Sequence, residues 1–186
     1  GFAPTAAFSS SSPSQAASIT QITLSQDNAV FLNGVKLDLL AAACYGVGPN
    51  ALGSEKIGCS NSNQPFRYDP MSPLNQFGTD SHNAHTQPDG AYHYHGDPRA
   101  LYDLSSASVQ SPVIGFAADG FPIFGPLIDD NGTVRQVKSS YQLKTGLRQA
   151  QTFNGQTYDP SGTTGVFAGE VYNGRFVDDY EYSQGS

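Results

Sequence analysis

Short apolar runs in this chain are separated repeatedly by dipeptides that suit only a tight turn. Asn-Gly occurs four times, at Asn33-Gly34, Asn131-Gly132, Asn154-Gly155 and Asn173-Gly174. The first lies between Ala29-Val30-Phe31-Leu32 and Val35-Lys36-Leu37, the last between Val171-Tyr172 and Arg175-Phe176, and both predict hairpins with two-residue turns that need positive φ. The other two stand in similar contexts, and Asp119-Gly120 divides Pro112–Phe116 from Phe121–Phe124. Helical signals are confined to Leu39–Cys44 and Pro98–Asp103. With 20 Gly, 12 Pro, 10 Tyr, 11 Phe and 13% charged residues among 186, the composition favours short strands over long helices. No repeat at a solenoid or propeller period is present. The expected fold is all-β or β-dominated: a single compact sandwich or barrel-like domain over residues 19–186, with short helical turns and long loops.

Nine Lys and Arg against sixteen Asp and Glu give a formal charge of −7, and the pI is about 4.7. Nucleic-acid binding therefore lacks its electrostatic driver. The longest apolar stretch, Leu37–Tyr45, is broken by Asp38 and falls well short of the ~20 residues that cross a bilayer. Residues 1–18 are Ser-rich and aperiodic and predict a flexible arm, through which a homo-oligomer or surface assembly would form. The sequence opens on Gly1 and its one Met is Met71, so a processed or trimmed product is expected, secreted, periplasmic or at the cell surface. Cys44 and Cys59 fit that expectation as a disulfide, which over a loop of this size contributes roughly 3 kcal/mol in an oxidising compartment. The alternative is two buried thiols. A metal reading of the cysteines is weak, because no CxxC spacing exists. In a eukaryotic source, Asn131-Gly132-Thr133 would accept an N-linked sugar.

All four histidines fall within one fourteen-residue window: His82, His85, His93 and His95. Between them stands Pro88-Asp89-Gly90, in which Pro presets φ and Gly accepts a positive one. A hairpin centred on Asp89 sets Gln87 against Ala91, Thr86 against Tyr92, His85 against His93, and Asn83 against His95. Opposed Cβ atoms then lie about 5 Å apart, and an i, i+2 step of about 6.5–7 Å keeps a side chain on the same face. His85, His93 and His95 converge on one ion in this register. His82 has the wrong parity and contributes only if the strand bends near Asn83. Tyr92 and Tyr94 face the other way and, with Asn83 and Asp80, form the expected surroundings of the ligands.

Neutral imidazole binds zinc, copper, nickel or iron, and the absence of Cys or Met from the window argues against a soft Cu(I) site. Three ligands leave a position open. Zinc there would acidify a water to a pKa near 7, whereas copper would admit oxygen or a redox substrate. The competing readings are an uncoordinated polar binding face and an incidental patch of surface histidines.

Asp119 is the candidate acid or base, with simple turn chemistry as its alternative. Asp80 is a weaker candidate of the same kind. The segment Pro65–Pro73 reads as an irregular crossing that leads into the chemistry, its Arg67 and Tyr68 packing or binding an anion. Asp129-Asp130-Asn131-Gly132 and Asp178-Asp179 are oxygen-rich enough to suggest calcium, but neither has the EF-hand spacing, and solvated turns are the preferred reading of both. A Gly-x-Ser-x-Gly elbow and a phosphate-cradling loop are both missing, which leaves serine-type hydrolysis without a motif.

The run Asn83-x-His85-x-Gln87-Pro88-x-Gly90-x-Tyr92-His93-Tyr94-His95 resembles the signature of the YHYH-domain family. The likeness extends to Asn33-Gly34, Arg67-Tyr68-Asp69, Gly115–Pro126 and Asp178–Tyr182. It implies an exported domain with a histidine-centred site, does not require His82, and implies further sequence beyond Ser186. No established reaction comes with it. Three functions follow from the residues: a domain binding a divalent transition metal, zinc or copper; a metalloenzyme using the same ion for zinc-dependent hydrolysis or copper redox chemistry; or an extracellular assembly protein in which the metal is a staple.

Overall fold

The computed structural model describes residues 23–105 and 108–183, together with the backbone of one short strand pair, β1 (Phe8–Ser9) and β2 (Ser12–Pro13). The remainder of the arm expected at 1–18 lies outside the described residues. The chain divides into two compact units, Gly1–Asp38 with Ser81–Val137 and Leu39–Asp80 with Lys138–Ser186.

The first unit is organised by a six-stranded sheet. Its strands are β3 (Ala29–Phe31), β4 (Lys36–Leu37), β5 (Ala84–Thr86), β6 (Tyr92–Tyr94), β7 (Val113–Ala117) and β8 (Pro122–Phe124), in the spatial order β5-β6-β4-β3-β7-β8. Every pairing is antiparallel except β4 with β6. Three turns within the sheet share one construction. The loops 32–34, 88–90 and 118–120 each end in a left-handed glycine, with φ of 82° at Gly34, 86° at Gly90 and 87° at Gly120. In each, the glycine N–H donates to the carbonyl three residues back, Phe31, Gln87 or Ala117. Asn33-Gly34 thus closes a three-residue loop rather than the expected two-residue turn, because Asn33 keeps a negative φ and only the glycine takes the strained conformation.

One face of the sheet is apolar. Phe31, Ala84, Tyr94 and Ile114 are buried there, with Val35, Leu37, Leu101, Tyr102 and Ile123 packed against them. Phe31 and Tyr94 meet edge to face at 5.2 Å. Gly115 is required where β7 pairs with β3 opposite Phe31, because a Cβ would stand 2.7 Å from Phe31 Cδ1 and 2.8 Å from the Val30 carbonyl oxygen. A separate hairpin joins β9 (Leu127–Asp130) to β10 (Thr133–Gln136) through Asn131 and Gly132, whose φ values of 54° and 88° give the two-residue turn expected.

The second unit contains two strand pairs, β11 (Tyr141–Leu143) with β14 (Tyr180–Tyr182) and β12 (Gln151–Phe153) with β13 (Gln156–Tyr158). Asn154-Gly155 turns the second pair as expected, with φ of 50° and 79°. Its core holds Ala41, Ala43, Tyr45, Phe66, Tyr68, Tyr158 and Phe176, and Cys44 is disulfide-bonded to Cys59.

Two local expectations fail here, each for a visible reason. Leu39–Cys44 is not helical. The carbonyls of Ala42 and Ala43 accept from the N–H groups of Cys59 and Tyr68, and the Ala41 carbonyl accepts from Arg67, so these acceptors go to distant partners instead of a helical ladder. Asn173-Gly174 is not a hairpin. The N–H groups of Asn173, Gly174 and Phe176 turn towards Asp179 Oδ2 at 3.3, 3.1 and 3.4 Å, while Arg148 holds the same carboxylate through two bonds of 2.8 Å. A buried carboxylate replaces the partner strand. Pro65–Pro73 likewise serves packing within this unit: Tyr68 is in the core, its hydroxyl 2.6 Å from Glu55, and Arg67 donates to main-chain carbonyls. The β-dominated reading holds, with several sheets and, among the described residues, no closed barrel.

Candidate metal centre

The hairpin β5–β6 has the register that its turn residues predict. Ala84 faces Tyr94, His85 faces His93 and Thr86 faces Tyr92, Gln87 N–H donates to the Ala91 carbonyl, and His95 N–H reaches the Asn83 carbonyl at 2.8 Å. The alternation of side chains then places His85, His93 and His95 on the face opposite Tyr94.

Their imidazoles point tip to tip. His93 Nε2 lies 3.0 Å from His95 Nε2, which lies 3.1 Å from His85 Nε2. The rings meet edge to face at 4.6–4.8 Å between centroids. With metal–nitrogen bonds of about 2.0–2.1 Å, two donors at a right angle stand about 2.9 Å apart and two at the tetrahedral angle about 3.4 Å apart. The observed separations fall in that interval. Among the described residues, this trio is the group of His, Cys, Asp and Glu whose ligand atoms come together closely enough to hold an ion.

Burial sets the protonation state. His93 is 2% exposed and His95 6%. Desolvation, reinforced by the neighbouring imidazoles, pushes His95 down to about 4. Desolvation also lowers His93, against a hydrogen bond from its Nδ1 to the Ala91 carbonyl at 3.3 Å. A carbonyl only accepts, so this contact places the proton of neutral His93 on Nδ1 and leaves the Nε2 lone pair facing the cluster. Both buried imidazoles are therefore neutral at pH 7.

The remaining candidates are distributed differently. His82 is exposed at the turn before β5 and stands outside the cluster, although Asn83, with φ of 66°, does bend the chain there. The Asn83 amide donates to the Asp97 carbonyl at 2.7 Å, securing the far end of the hairpin. Tyr94 is buried behind the site and its hydroxyl accepts from Asn33 at 3.1 Å, whereas Tyr92 is 38% exposed. Asp119 lies at an exposed loop tip, where its carboxylate accepts the Phe121 N–H at 3.2 Å, and Asp80 is an exposed residue of the second unit. Neither belongs to the histidine group. The calcium candidates are engaged by protein donors: Asp129 by Gly132 N–H at 2.7 Å, Asp130 by Arg135 at 2.7 Å, Asp179 by Arg148, and Asp178 by the Phe66 N–H.

Lys36 was not among the site residues expected from sequence. It is the Cα partner of His93 across the parallel β4–β6 pairing and so lies on the same face, its ammonium 2.9 Å from Asp27. The Asn33-Gly34 turn gives the facing of Lys36 within its own hairpin, but no local signal reports which strand lies beside it.

No helix among the described residues is long and apolar enough to cross a membrane. No curated protein and no solved structure gives a significant match. The signature hairpin belongs to a likeness that runs through both units: the family model described as YHYH protein matches residues 8–186, and the chain belongs to that family.

Proposed function

We propose that this is an exported metal-binding protein in which His85, His93 and His95 hold one divalent transition ion, zinc or copper, through their Nε2 atoms. The observation that carries the reading is the convergence of the three Nε2 atoms, with adjacent pairs at 3.0 and 3.1 Å, on a hairpin whose turn fixes the register. Neutral imidazoles suit these borderline ions. The low proton affinity of His93 and His95 also means that protons compete little for these two ligands at neutral pH. The Ala91 carbonyl orients His93, and the packed Tyr94 ring stiffens the strand that carries two of the ligands. The Cys44–Cys59 disulfide supports an oxidising compartment and hence export.

A metalloenzyme is the second reading, supported by the same ligand count. Three protein ligands leave a coordination position for an exchangeable group, where the ion would supply Lewis acidity. Elemental analysis by plasma mass spectrometry on untagged protein tests the primary reading. About one equivalent of zinc or copper is expected in the wild type and in His82→Ala, and none in His93→Ala. Equal loss from both variants would reject the ligand set, and a wild type that stays metal-free after reconstitution would reject the site.

A further inference from the structure

The sheet continues the histidine face as a single cross-strand row. His93 is paired with Lys36, Lys36 with Val30, Val30 with Phe116 and Phe116 with Pro122. Directly opposed residues share a face, so this row runs from the imidazoles past one ammonium on to apolar side chains. At about 4.8 Å per strand, the distance from His93 to Phe116 is about 14 Å. These apolar groups are left to solvent: Val30 is 38% exposed and Phe116 43%, and Pro122 is exposed as well. The opposite face carries the core, so folding of the sheet does not account for an aromatic ring on this side.

The geometry points to a ligand class for the metal centre, an organic anion with an apolar body, such as a fatty or aryl carboxylate, whose head meets the ion beside Lys36 and whose body lies along Val30 and Phe116. This rests on the metal-binding reading above. Neutral imidazoles leave the ion its full double charge, and the two charged side chains that act on His93, Lys36 and Asp38, offset one another, while Asp27 and Asp89 bear on Lys36. An anionic head is therefore favoured over a neutral or cationic one. Lys36 acts here as a positioning residue: it is the cross-strand partner of His93 on the same face, with its ammonium 2.9 Å from Asp27.

The test uses the full chain loaded with cobalt(II), whose visible absorption reports ligands entering its coordination sphere, titrated with acetate, octanoate and octanol. Octanoate should bind about tenfold or more tightly than acetate, because its chain leaves water over the apolar strip, and octanol should leave the spectrum unchanged. Lys36→Met should weaken acetate and octanoate alike, by about threefold. Val30→Ser, two strands from His93 and within reach of an eight-carbon chain, should weaken octanoate and leave acetate alone. Equal binding of acetate and octanoate, or insensitivity of octanoate to both substitutions, would overturn the ligand class while leaving the metal site standing. Failure of the wild type to take up cobalt would instead overturn the metal reading, and this inference with it.

Discussion

The metal-free protein should lose stability on mild acidification, and His95 carries the largest share. His95 titrates at about 4 in the folded protein against 6.5 for an ordinary histidine. Between those values the unfolded chain binds the proton that the folded chain refuses, so stability rises with pH and falls as pH drops through the window. At 1.36 kcal/mol per unit, the contribution lost is about 1 kcal/mol at pH 5.5 and nearly 3 kcal/mol at pH 4.5. The depressed His93 adds in the same direction. The physical origin is desolvation: an imidazolium at His95 would be buried beside two other imidazoles, and its Nδ1 makes no well-formed hydrogen bond where it lies beside the Asp38 main chain.

Urea titrations at pH 7.5, 5.5 and 4.5 on chelator-treated protein measure this directly, with the amide resonances of β5 and β6 reporting the first unit. Comparison with His95→Gln removes the background titration of carboxylates common to both proteins. The wild type should lose roughly 3 kcal/mol relative to the variant between the extremes. Parallel pH profiles would refute the argument, because the tripod would then accept a proton at no cost and could not be as desolvated as its burial implies. Restoring zinc at pH 7.5 should raise the stability of the wild type by mass action and leave His95→Gln nearly unchanged.

The second unit supplies two further expectations. Asp179→Ala should cost about 3–5 kcal/mol in urea unfolding, since it strands the Arg148 guanidinium, whose side chain is fully buried; a loss below about 1 kcal/mol would mean that Glu170, 2.9 Å from Arg148, suffices alone. Reduction of the disulfide, or Cys44→Ser with Cys59→Ser, should cost roughly 3 kcal/mol for a fifteen-residue separation, and thermal melts of the two forms that coincide would show that the loop is held by Arg67 and its carbonyl partners instead.

What the sequence reveals about this protein is divided by range. The ligand hairpin is a local object: Pro88, Asp89 and Gly90 dictate the turn, the turn dictates the pairing, and period-two alternation then dictates which imidazoles share a face, all within fourteen residues. Its register could therefore be derived before any fold was known. Asn173-Gly174 carries an equally strong hairpin signal and forms none, because Asp179 and Arg148, 31 positions apart, assemble into a buried ion pair that captures the turn's N–H groups. The acidic run around Asp178 reads as a solvated turn until its long-range cation is known. The same holds at the site, where Lys36 stands beside His93 only because β4 pairs with β6 in parallel, a contact closed across more than fifty residues of intervening chain. Ligands drawn from one hairpin are thus legible from spacing, whereas charge and apolar surface beside them come from strands that no local rule connects. The choice of ion follows from the first; the choice of what approaches the ion follows from the second.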